Sequence, residues 1–100
     1  SVGRLRSTLT EMCARIGRKL ETKHLLFRTV TVKIRYRDFT TLQRSHTLPV
    51  GTNNPATLCR TALSLFQANE RLRQPLRLLG VKVSSLNSVE GQANLLQFTQ

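Results

Sequence analysis

Residues 29 to 39 read TVTVKIRYRDF, an alternation that puts Val30, Val32, Ile34 and Tyr36 on one parity and Thr31, Lys33, Arg35 and Arg37 on the other. Successive side chains of a strand point to opposite faces, so the pattern predicts a strand over Phe27 to Arg37 with one core face and one row of cations. Like charges in such a row lie within about 7 Å of one another, which costs stability unless an anion lies across them. A solvated strand face is the bland alternative.

Before this strand, Leu9, Met12, Cys13, Ile16 and Leu20 recur at helical spacing. Thr8 with Glu11 makes a capping-box pattern, which predicts a helix from about Thr8 to Glu21 after a short extended piece over Ser1 to Arg6. After it, Asp38 and Phe39 form a tight connection, and Thr40 to Leu48 returns as the hairpin partner, ended by Pro49. The stretch GTNNP supplies a loop, a helix cap at Asn53 or Asn54 and Pro55 in the first turn. Leu58, Cys59, Ala62, Leu65 and Phe66 are the apolar stripe of a second helix that finishes near Asn69. Leu76 to Leu86 closes the domain as a strand, with Leu79, Val81 and Val83 inward and Lys82 and Ser84 outward. The expected class is α+β in the order βαββαβ: a four-stranded antiparallel-type sheet with both helices on one face and the cationic face open. Residues 1–86 make this domain and residues 87–100 a polar tail. No internal repeat or low-complexity segment is evident.

A chain of 100 residues, 39% of them hydrophobic, suits one domain. Charge adds more. Lys and Arg number 16 against five acids, and every cation lies within residues 1–82, a density that calls for a polyanionic partner. Neither expected helix sets a basic face against a broad apolar face bearing Trp or Phe, so nucleic acid is favoured over a membrane surface. Without a signal peptide or an apolar run long enough to cross a bilayer, the chain reads as part of a soluble, cytoplasmic protein. Cys13 and Cys59 fall on apolar helix faces without the close Cys/His spacing of a zinc site, and read as buried free thiols.

Catalysis calls for convergent acids, bases or nucleophiles, and five scattered carboxylates, two separate histidines and two helix thiols do not supply them. An acylphosphatase-like hydrolase shares the element order, but its Gly-rich phosphate loop has no counterpart. An RRM or ribosomal RNA-binding βαββαβ domain is the rival binding module. An RRM stacks bases on aromatic residues of its central strands, whereas the outward positions here are Thr and cations, which suit backbone phosphate.

In order along the chain, SVGR, TVTVKIRYRDFTTLQRSHTLP and LRLLGVKVSSL resemble the C-terminal little-finger domain of Y-family DNA polymerases, most of all the bacterial DNA polymerase IV branch. The resemblance implies a DNA-binding appendage, linked to a palm, fingers and thumb, in an enzyme that copies past damaged bases in DNA repair and uses Mg2+. Its sheet would lie in the major groove of the primer-template duplex as a monomer, holding phosphates through basic side chains and strand amides. The residues implicated are Arg4, Lys33, Arg35, Arg37, Arg44, Arg77 and Lys82. Arg44 shares parity with Leu42 and Leu48 and needs a bulge to turn outward. The tail GQANLLQF is similar to the sliding-clamp peptide of such polymerases, with Gln92, Leu95, Leu96 and Phe98 as its anchors, and packing of those residues on the domain is the alternative.

Overall fold

A computed structural model of the chain describes residues 2–69, 76–89 and 98–99, with side chains over residues 6–67 and 78–89. Helix α1 spans Val2–Thr22, strand β1 Leu25–Tyr36, β2 Thr41–Thr52, helix α2 Pro55–Asn69, β3 Leu76–Ser84, β4 Asn87–Ser88 and β5 Phe98–Thr99. Four strands lie side by side in the order β2-β1-β3-β5, all pairings antiparallel. β4 continues the ladder of β3 along β1: Thr29 faces Ser84, Leu26 faces Asn87 and Leu25 faces Ser88, with no slip between them.

Leu9, Met12, Cys13, Ile16 and Leu20 of α1 and Leu58, Ala62 and Phe66 of α2 are buried in one cluster with Val30, Val32, Ile34 and Tyr36 of β1 and Val81 and Val83 of β3. Both helices therefore cover the even-numbered face of β1, and the α+β class holds. α2 begins as its sequence dictates. Asn54 accepts a hydrogen bond from the Ala56 amide at 2.8 Å through its side chain, while Pro55, which has no N–H to satisfy, occupies the first turn. Close packing of the helices depends on Gly17, since a Cβ there would lie 3.0 Å from the Cβ of Pro55. Cys13 and Cys59 are free thiols on this helix pair. Burial first, and the neighbouring Cys59 second, push the Cys13 thiol up to about 12.

Three expectations are corrected. Residues 2–6 open α1 instead of forming a strand: in the sequence Leu5 stands four residues before Leu9, at helical spacing, and Thr8, expected as the cap, lies inside the helix. The sheet position beside β3 is held by Phe98–Thr99. Nor does Pro49 end the hairpin. β2 takes five steps from Thr47 to Thr52 while β1 takes two, from Thr29 to Phe27, so Pro49 lies within an irregularity of an outer strand, where a missing N–H is tolerated. The Arg28 Nε donates to the Leu48 carbonyl at 3.0 Å across this irregularity.

Candidate nucleic-acid interface

Cross-strand partners share a face, so the registers define the open side of the sheet residue by residue. Thr29, Thr31, Lys33 and Arg35 of β1 face Thr47, Ser45, Gln43 and Thr41 of β2 on one side. On the other they face Ser84, Lys82, Gly80 and Leu78 of β3. No acid stands at any of these positions. The hydroxyls form rungs: Thr29 and Thr47 lie 3.1 Å apart, and Thr31 and Ser45 2.8 Å apart. The Arg35 Nε donates to the Thr41 hydroxyl at 3.2 Å, which holds one edge of the guanidinium along β2.

Lys33 and Lys82 are diagonal neighbours on this face, since Lys82 faces Thr31 and Lys33 faces Gly80; such diagonals stand about 7–8 Å apart. Gly80 has no side chain to fill the space between them. A concavity of about 530 Å³ at β3 is lined by Thr31, Lys33, Gln43, Leu78, Gly80 and Lys82 of the open face and by Met12, Leu79 and Val81 of the helix-bearing side. Thr31, at its floor, is only 6% exposed although it sits on the open face, because longer neighbours stand around it. Its lining brings the Lys33 and Lys82 side chains and the Thr31 hydroxyl together with the apolar side chains of Met12, Leu78, Leu79 and Val81.

The other candidates divide as follows. Arg37 is exposed in the turn that follows β1, and so borders the open face at the hairpin end. Arg44 faces Val32, on the helix-bearing side, because the irregularity that might have turned it lies farther along β2, beyond Thr47. Its Nη1 donates to the Gln43 carbonyl at 2.8 Å. Arg4 lies in α1 and not in a sheet strand, and Arg77 lies in β3 at the extra residue between Leu76, opposite Tyr36, and Leu78, opposite Arg35. Neither side chain is described. Gln92, Leu95 and Leu96 lie outside the described residues, and the backbone of Phe98 pairs with Val83.

Strand amides are limited as donors to a ligand. β1 is paired on both sides along Thr29 to Arg35, so its amides there are taken up within the sheet, whereas the outer side of β2 and β3 before Lys82 have no strand partner among the described residues. Among the described residues no group of three or more His, Cys, Asp or Glu converges as a metal site requires. No helix among them is long and apolar enough to cross a membrane.

Phe39 lies in the tight connection where the sequence places it, and it stands out there by its backbone. It has a positive φ of 69° and is 65% exposed at the hairpin tip, beside the end of the cationic row. The sequence signal was its position directly after Asp38, where a hairpin turn ordinarily has Gly.

Comparison with known proteins identifies the family. A family model described as the impB/mucB/samB family C-terminal domain matches residues 1–96. The DNA polymerase IV of Methanoculleus marisnigri is 43% identical over 82 residues, which is 82% of this chain and 22% of the relative. That of Desulfotalea psychrophila is 35% identical over 85 residues, 85% of this chain and 23% of the relative. That of Halorhodospira halophila is 30% identical over 94 residues, 94% of this chain and 26% of the relative. The chain thus spans about a quarter of the length of these relatives. With nearly its whole length matched by that model, the chain belongs to the impB/mucB/samB family of C-terminal domains.

Proposed function

We propose that this domain holds primer-template duplex DNA by its phosphates, as the little finger of a translesion DNA polymerase acting in damage tolerance and repair. The observation that carries the reading is the acid-free open face, on which Lys33 and Lys82 flank the recess over Gly80. A backbone phosphate seated there meets two ammonium groups and the Thr31 hydroxyl, with Arg35 one position along β1 and Arg37 at the turn. Such contacts fix position without reading sequence. The names of the relatives, all DNA polymerase IV, favour DNA over the RNA partner of an RRM-like or ribosomal domain. Catalysis itself is assigned to the remainder of a longer polymerase. The clamp role of Gln92, Leu95, Leu96 and Phe98 is proposed on their sequence pattern alone, and it requires Phe98 to leave its pairing with Val83.

Each phosphate neutralised contributes about −0.9 to the slope of log K against log salt on duplex DNA. Replacing Lys33 and Arg35 together by Ala is expected to make the slope for the 100-residue chain shallower by about two, measured by fluorescence anisotropy with a labelled primer-template. An unchanged slope removes the open face as the DNA surface, and preference for single-stranded RNA in competition moves the reading to the RNA-binding alternative.

A further inference from the structure

The hairpin joining β1 and β2 closes with the Phe39 amide donating to the Tyr36 carbonyl at 3.0 Å and the Tyr36 amide donating to the Thr40 carbonyl at 2.9 Å. The Thr40 amide also donates to the Asp38 carboxylate at 2.9 Å. This three-residue connection ends in a left-handed position, and there the turn favours Gly, which has no Cβ to clash. Phe39 occupies it at φ 69°. A bulky residue in that region is strained, and the strain is not explained by deep burial, because the side chain is 65% exposed. An aromatic residue has been put where the turn's own chemistry calls for Gly, Asn or Asp. Departures of this kind from local preference collect at functional positions.

What the ring meets is indicated by its surroundings. Arg35 and Arg37 precede it on the same hairpin, and Leu78, 46% exposed, faces Arg35 on the open side. Among the described residues the exposed large apolar side chains are Phe39, Val50, Leu78 and Val89, and two of the four stand at this cationic end. An anionic partner with apolar surface beside its charges fits this combination, and nucleic acid, with bases and sugars between phosphates, has that composition. An acidic protein surface would satisfy the arginines but offers no comparable reason for a presented ring.

We infer that Phe39 is a second kind of DNA contact, its ring packing on a base or deoxyribose of the same nucleic acid whose phosphates the open face holds. The inference rests on that reading of the open face. It adds an uncharged contact to an otherwise electrostatic grip. Base stacking on an aromatic side chain is sequence-tolerant, so the contact strengthens binding without making it sequence-specific.

The test separates this contact from the phosphate grip. Asn tolerates left-handed backbone, so Phe39→Asn is expected to melt no lower than the unmodified chain. Its affinity for primer-template is expected to fall about tenfold, the size of one lost stacking contact. The salt slope is expected to stay as it was, because no cation is removed. Phe39→Trp is expected to retain affinity and to report binding by a change in indole fluorescence. If Phe39→Asn binds DNA as tightly as the unmodified chain while the Lys33 and Arg35 substitutions still change the slope, only this inference falls, and contact with another protein surface becomes the role of the ring. A marked drop in the melting temperature of Phe39→Asn would also overturn it, by making the ring a packing residue. If the unmodified chain fails to bind duplex, the open-face reading fails and this contact fails with it.

Discussion

Val32 and Lys33 are adjacent in sequence and opposite in environment. Val32 lies in the core beneath the helices, 2% exposed, whereas Lys33 stands exposed on the open face opposite Gly80. An aspartate at position 32 would bury a charge with no cationic partner in the apolar cluster around it. That change belongs to the severe class, about 4 kcal/mol or more, and is expected to unfold the chain. At position 33 the same side chain remains in water. Lys33→Asp is expected to leave the melting temperature within a few degrees while abolishing measurable DNA binding, since it both removes a cation and adds an anion to the recess. Thermal melts of the two variants decide the assignment of faces, and unfolding by Lys33→Asp would invert it. This alternation was legible in the sequence because a period of two distinguishes the faces without any knowledge of partners. The burial of Thr31 was not, because it depends on the side chains of Lys33, Gln43 and Lys82 standing around it.

At the scale of elements, the α1·α2 contact is set by Gly17 against Pro55. Gly17 is buried mid-helix, where glycine costs about 1 kcal/mol relative to alanine, so the close approach offsets a local penalty. A leucine there has nowhere to go: the proline ring is rigid and opens a helix that is capped by Asn54. Gly17→Leu is expected to lose about 2 kcal/mol or more in chemical denaturation, by overpacking and parting of the helices. Equal stability would show that α2 can shift at little cost. Each helix and the hairpin were legible from periodicity, and the start of α2 from its capping residue as well. The misread ends have physical causes: Leu5 stands at helical spacing before Leu9 in the sequence, and a proline on an outer strand is absorbed by a change of register. Pairing of residues 98–99 with β3 joins positions far apart in sequence, and no local pattern announces it.

At the scale of the whole molecule, a net charge of +11 draws any polyanion, so affinity for DNA does not by itself identify a surface. The exposed side of α1 carries its own cations, among them Arg15, Arg18 and Lys19, on the helix-bearing side of the sheet. Charges that are not in contact with DNA act through the long-range field, which salt screens over about 10 Å at 0.1 M. Charges that touch phosphates release counterions and set the salt slope. A charge-matched control separates the two. Arg15→Gln with Lys19→Gln removes two cations, as does the pair of alanines at Lys33 and Arg35, and it relieves a like-charge pair at helical spacing, so the helix is not expected to weaken. The glutamine variant is expected to associate more slowly at low salt yet keep a slope within about 0.5 of the unmodified chain, against a change of about two for the sheet variant. Stopped-flow association and equilibrium titration at several salt concentrations measure both quantities. Equal changes in slope from the two variants would mean that the chain binds DNA through its net charge on either side, and that the recess over Gly80 holds no privileged phosphate.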